Sequence, residues 1–225
     1  MKHLIKTADS SSLAAVNYNR VILNTTTDNV TIDYSYVDLG LPSGLKWATR
    51  NIGATSESDY GDFFMWGSIT PNTNEECTWE SYKYCNGSDT TLTKYNTDSS
   101  YGTVDNITTL EPEDDVATQI MGSEWRMPTK AEIQELIDST TKQWTQVNGV
   151  NGYKFTGSNG NSIFIPAAGA CIDGSVSFEG SDGGVWSSSL YSNPGYAWRL
   201  DFGSGRCNVS YGGRSSGRSV RGVRA

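Results

Sequence analysis

The stretch "YAWRLDFGSGRCNVSYGGRSSGRSVRGVRA", residues 196–225, decides how the chain is read. Its second half, a run of Gly, Ser, Arg and Tyr, has the composition of a disordered basic tail. Its first half has the two-residue alternation of a β-strand. Along "AWRLDFG", Trp198, Leu200 and Phe202 fall on one side of an extended backbone, and Arg199, Asp201 and Gly203 fall on the other. A core-facing side accounts for the first set. The second set is a cation, an anion and a glycine, a mixture that follows no packing rule. Taken as one folded unit, "SYGGRSSGR" is a loop and "SVRGVRA" a returning strand. Val220 and Val223 would then pack, and Arg221 and Arg224 would be held in polar contacts.

Composition agrees with folding. The chain has 225 residues, 36% of them hydrophobic, with 7 Trp and 12 Tyr. Each buried aromatic contributes on the order of 150–250 Å² to a core, and a disordered chain would be poor in them. The net charge of −8 argues against nucleic acid as the partner of the whole surface. The charge is uneven: from Ser181 onward six arginines face two aspartates, a balance of +4 that leaves −12 before it. The basic end is expected to pair with the chain's own acidic body rather than to bind anions.

The elements expected along the chain are an α+β set. "RVILNTTTDNVTIDYSYV" reads as one or two strands around a turn at "TTTDN", so residues 1–35 are expected to be a β-rich attachment or oligomerisation segment, or else the first strands of the main sheet. Asp114 and Asp115 stand where a helix dipole favours carboxylates. "EWRMPTKAEIQELIDST" (124–140) predicts a helix capped by Thr129, with Glu132 as capping-box partner and Ile133, Leu136 and Ile137 as its apolar stripe. "YKFTG", "SNGN" and "SIFIP" predict a hairpin. Residues 36–225 form the main domain, with one or two helices on antiparallel strands and long irregular loops.

These motifs carry a resemblance. "VDLGLPSGLKWAT", "YGDFFMWG", "WRMPTKAEIQELI", "GNSIFIPAAG" and "VWSSSLY…YAWRLDF…SVRGVRA" resemble the Fibrobacter-type major paralogous domain, a family of gut Bacteroidales and their phages. The resemblance covers residues 36–225 and implies a C-type-lectin-like fold. It also implies membership of the subset diversified by retroelements, in which error-prone reverse transcription rewrites adenines near the end of the gene. Such proteins bind receptors from a phage tail or a bacterial surface.

Adenine mutagenesis of AAC codons yields NNC codons, which never encode Lys, Glu, Gln, Met or Trp. After Glu179 the chain has no Lys, Glu, Gln or Met, and its Trp residues there are 186 and 198. A variable region of about 186–225 follows. Its outward, ligand-contacting positions are expected to be Tyr196, Arg199, Asp201, Gly203, Arg206, Asn208, Ser210, Tyr211, Gly212, Gly213, Ser215, Ser216 and Arg218. Trp186, Trp198, Leu200 and Phe202 are expected to be scaffold. A face of Tyr, Ser, Gly, Asn and Arg has the chemistry of an antibody loop, and Tyr and Arg are favoured as binding anchors.

The expected function is therefore non-enzymatic binding of a cell-surface protein or glycan, with no cofactor, no metal and no nucleic acid as partner, and with a homotrimer as a route to avidity. The alternatives are a static adhesin or structural surface module, and a relative of formylglycine-generating enzymes, whose chemistry uses cysteines. The single histidine, His3, excludes a Ser-His-Asp arrangement in the main domain. The four cysteines form no CxxC pair; Cys77 and Cys85 could bridge within one loop, and spacing does not pair Cys171 with Cys207. "EPEDD" (111–115) lacks the alternation of a calcium loop. The start "MKHLIKTADSSSLAAVNYNR" is a poor signal peptide, and no stretch is long and apolar enough to insert in a membrane. A phage virion, or a bacterial surface reached after signal removal, is the expected location.

Overall fold

Two acids and a threonine set the helices. Asp115 accepts from the amides of Ala117 (2.9 Å) and Thr118 (3.1 Å) and so caps α1 (Val116–Met121). Its other oxygen takes the Met127 amide at 2.8 Å, tying the end of the following turn to the helix start. Thr129 and Glu132 form the expected capping box of α2 (Lys130–Ser139), whose Ile133, Leu136 and Ile137 are buried. The computed structural model describes residues 34–225 in full and, before them, the backbone of residues 21–22 and 31–32. The first twenty residues and the expected turn at "TTTDN" lie outside the described residues.

Among the described residues all strands within the sheets pair antiparallel, and the fold is α+β. β1 (Val21–Ile22) pairs with β2 (Thr31–Ile32). β3 (Tyr36–Asp38) pairs with β4 (Lys46–Ala48), and β13 (Val223–Arg224) adds to the other edge of β4. β5 (Thr141–Val147), β6 (Val150–Thr156) and β7 (Ser162–Pro166) form a meander that contains the expected hairpin. β8 (Ala170–Ile172) pairs with β9 (Ser175–Ser177). β10 (Asp182–Leu190), β11 (Tyr196–Gly203) and β12 (Arg206–Gly213) form a further three-stranded sheet, with β11 central.

That sheet lies between two apolar clusters. Val185, Leu200 and Phe202 share a cluster with Ile133 and Leu136 of α2 and with Phe155 and Ile165 of the meander. Trp186 and Ala197, one residue out of phase with those, belong to a second cluster with Phe64, Trp66, Tyr95, Trp125 and Val220. A sheet covered on both faces cannot keep one face free for recognition along its full length. The expected division into a packing side and an open side is corrected accordingly. After Trp186 the pairing of β10 slips, so that Leu190 rather than Ser188 meets Ala197. The bulge turns Ser187 Oγ onto the Trp198 carbonyl (2.8 Å) and the Ser188 amide onto the Pro128 carbonyl (2.8 Å).

The closing segment is interior. Residues 214–223 are all buried, so the disordered-tail reading fails. Backbone bonds run from Trp66 to the Arg214 carbonyl (3.0 Å), between Phe64 and Arg218 in both directions (3.0 Å each), and from Ile52 to the Val220 carbonyl (2.9 Å). Trp186 reaches Ser219, and Cys171 and Gly217 exchange both bonds. The irregular first half and the strand-rich second half are thus stitched together by the last residues of the chain.

Candidate functional site

The nominated positions separate into three environments. Tyr196 and Tyr211 are 36% and 47% exposed, Arg206 and Asn208 are exposed, and Ser210 and Gly213 are partly so. Arg199 is largely covered and Asp201 is buried, each held in an ion network. Gly212, Ser215, Ser216 and Arg218 are buried, as is Gly203. The outward placement expected for Asp201, Gly203, Gly212, Ser215, Ser216 and Arg218 is therefore wrong: the side chains of Arg199, Arg206, Arg218 and Asp182 cover Asp201, Gly203 and Gly212, and the segment from Arg214 onward dives under the sheet instead of looping over it.

The scaffold residues need one adjustment. Trp186, Leu200 and Phe202 are sealed, with 0% exposure. Trp198 is half-buried, because it lies on the same side as Tyr196 and Tyr211 at the outer end of the ribbon. There the Tyr191 and Tyr211 rings stack at 4.2 Å with planes 19° apart. Tyr191 meets Trp198 edge-on at 4.7 Å, and Tyr196 meets Tyr211 edge-on at 5.5 Å. Lys130, the first residue of α2, places its ammonium 3.8 Å from the centre of the Trp198 ring. The result is an aromatic rim, partly open to solvent, on rigid supports. Tyr191 and Lys130 were not expected in it; neither carries a sequence signal, since the first sits in a turn and the second begins a helix.

On the other side of the ribbon lies a cleft of about 250 Å³, lined by Arg199, Asp201, Arg206 and Arg218 together with Asp182, Phe178 and the strand pair β8–β9 near Ala170 and Ile172. Asp201 accepts from Arg199 Nη1 and, at 2.8 Å, from Arg206 Nε, and Arg206 Nη2 reaches Asp182 at 2.8 Å. Burial alone would raise the Asp201 carboxyl, but the hydrogen bonds from Arg206 and Arg199 outweigh it and hold the group below the usual carboxylate range.

The remaining terminal arginines are structural. Arg214 is fully buried; it donates from Nε to Tyr82, from Nη1 to the carbonyls of Tyr95 and Pro194, and from Nη2 to that of Lys94, each at 2.9 Å. Arg221 donates to Asn51 Oδ1 (2.9 Å) and to the carbonyls of Ala48 and Phe164 (3.0 Å each). Arg224 pairs with Glu124 at 2.7 Å. Arg221 and Arg224 are thus in polar contacts, as their place in the returning strand suggested. The expected pairing of the basic end with the acidic body holds for Arg224 with Glu124 and is corrected for the rest: Arg199 and Arg206 use aspartates of their own segment, and Arg214 and Arg221 use neutral oxygens.

Asp114 of "EPEDD" is no metal ligand in waiting; it is occupied by Lys94 (2.7 Å), Lys83 (3.1 Å) and the Tyr95 hydroxyl (2.6 Å). The cysteines are free thiols. Cys77 lies against Cys171 rather than Cys85, whose thiol donates to the Trp79 carbonyl at 3.0 Å. Burial pushes the Cys77 thiol upward and raises Cys207 to about 11.

Among known families, the Lcl C-terminal domain matches the chain over residues 41–224. No curated protein and no solved structure matches the chain.

Proposed function

The chain belongs to the Lcl C-terminal domain family, and from that premise we propose that it is a non-enzymatic receptor-binding module whose contact surface is the exposed rim of β11 and β12. The family match supports a ligand-binding module. The observation that carries the finer reading is the cluster of Tyr191, Tyr196, Trp198 and Tyr211, open to solvent at one end of a ribbon whose continuation is locked in the interior. Tyrosine offers large contact area at small entropic cost when it is already held in place. Here ring stacking does the holding, and Arg206, Asn208 and Ser210, exposed or partly so on the opposite face of β12, carry adaptable polar groups around the edge of the ribbon.

The receptor is a protein or glycan on a cell surface, presented with this module on a phage tail or a bacterial surface. The rim positions are the ones rewritten by retroelement mutagenesis. The thiols support a non-enzymatic role: Cys77 and Cys207 are held protonated by burial, the opposite of an activated thiolate.

The test is binding of the labelled full chain to arrayed cell-surface glycans and to intact gut bacteria, alongside the double variant Tyr196→Ser/Tyr211→Ser. The reading expects bound targets that the double variant loses while its melting temperature stays within a few degrees. Targets bound equally by both proteins would overturn it.

A further inference from the structure

Arg218 is a buried cation with no ion pair of its own: the residue is 8% exposed, its buried Nε has no hydrogen-bond acceptor among the described residues, and Asp201 of the same cleft attracts it without a direct bond. Arg214 and Arg221, fully buried in the same segment, satisfy their guanidinium groups through several oxygens each. Leaving a buried polar group unmade is costly, so the contrast between Arg218 and its two neighbours requires a cause.

The surroundings point to a ligand. A Cβ built on Gly184 would stand 3.1 Å from Arg218 Nη1 and 3.2 Å from Arg199 Nη1, and one built on Gly212 would stand 3.0 Å from Arg218 Nε and 3.3 Å from Arg199 Nε. Two glycines, on the strands either side of β11, thus make the bed on which two guanidinium groups lie side by side. Like charges so placed repel, and Asp201, bonded to Arg199 and shared with Arg206, offsets this only in part for Arg218. The Trp186 ring, 5.4 Å from the Arg218 guanidinium carbon, offers partial relief. Burial and the Arg199 charge, opposed by the Asp201 carboxylate, push Arg218 down to about 9, which still leaves it charged at neutral pH.

Both arginines line the cleft next to Asp201. Counting Arg199, Arg206 and Arg218 against Asp201 and Asp182, the cleft carries one surplus positive charge. Its opposite wall is apolar and holds Phe178, which is 59% exposed and has a left-handed backbone (φ +64°), an uncommon state for a bulky residue.

We propose that this cleft is a second binding site, separate from the aromatic rim, for a small monocarboxylate bearing an apolar group, with the carboxylate against Arg218 and Arg199 and the apolar group against Phe178 and Ile172. The planar fork of a guanidinium matches a carboxylate, and the single surplus charge matches one anionic group rather than two. The site does not depend on the function proposed for the rim.

The experiment titrates benzoate, its neutral isostere benzamide, and sulfate into the ¹⁵N-labelled full chain, reading the arginine Nε–Hε resonances. The Arg218 resonance is assigned by its loss in Arg218→Lys. Benzoate should shift it saturably, with benzamide and sulfate at least about tenfold weaker, a difference of about 1.4 kcal/mol. Asp201→Asn and, independently, Asp182→Asn should bind benzoate several-fold more tightly, a gain that misfolding cannot produce. Benzamide or sulfate binding as well as benzoate, an unmoved Arg218 resonance, or no tightening in either asparagine variant would overturn the proposal.

Discussion

Arg214 donates through Nε to the Tyr82 hydroxyl at 2.9 Å, and that hydroxyl donates in turn to the Trp66 carbonyl at 2.8 Å, with all three side chains buried. The chain's final loop is thereby fixed to a segment more than a hundred residues earlier. The exposed residues just before Arg214 inherit that rigidity, which is what a binding rim requires.

Arg214→Lys should destabilise the domain by about 3 kcal/mol or more. An ammonium cannot reach Tyr82 and three carbonyls at once, and each oxygen left bare in the interior adds its own cost. Tyr211→Ala, which loses ring contacts at the surface, should cost about 1 kcal/mol. Urea unfolding of the two variants measures both; equal losses would count against a locked segment supporting a free rim.

Trp186→Ala and Phe202→Ala should each cost about 3–5 kcal/mol, as sealed aromatics do. Trp198→Ala should cost less than half of that, because the ring is half-buried and faces Lys130 and Tyr191 rather than either core. Thermal melts of the three proteins rank them.

Acid should release Asp114. Burial opposes its ionised form, yet hydrogen bonds from Lys94, Tyr84, Tyr95 and Lys83 dominate and carry the carboxyl far below its ordinary value of 3.8. A group depressed in the folded state stabilises above its unfolded pKa and loses that contribution as pH falls through the folded value. Asp114→Asn should therefore be less stable than the parent by about 3 kcal/mol at pH 6, with the gap narrowing steadily below about pH 4. Denaturant midpoints between pH 6 and pH 2 report it. A gap that does not change with pH would assign Asp114 a purely steric role.

If the gene is rewritten by a retroelement, the neighbouring DNA should hold a reverse-transcriptase gene and a near-copy of the last coding stretch differing at adenines. Differences between the copies should fall at the codons of Tyr196, Arg206, Asn208, Ser210 and Tyr211 and spare those of Arg214, Arg218 and Arg221. Sequencing the locus decides it. A locus lacking the near-copy would leave a static adhesin.

Much of the second half was legible because its signals are local. The Thr129–Glu132 capping box, the apolar stripe of Ile133, Leu136 and Ile137 and the hairpin around "SNGN" are all formed by residues close in sequence. Alternation along β11 correctly said which residues share a face. It could not say that both faces are covered, because the cover over Trp186 and Ala197 comes from irregular chain around Phe64, Trp66 and Tyr95, which has no period. Nor could composition tell a solvated Ser-Gly-Arg loop from a buried one. Ser215 and Ser216 are small enough to pass under a sheet, and Arg214 and Arg221 are satisfied by carbonyls of distant loops and strands that no spacing announces.

The account rests on the exposed rim being free to vary while the segment behind it is not. The most direct measurement randomises the codons of residues 196–218 singly to NNC in a displayed library, selects for protease resistance after thermal challenge, and sequences the survivors. Broad tolerance is predicted at Tyr196, Arg206, Asn208, Ser210 and Tyr211, and strong depletion at Gly212, Arg214 and Ser215. Tolerance spread evenly across both groups, or depletion concentrated at the rim, would contradict it.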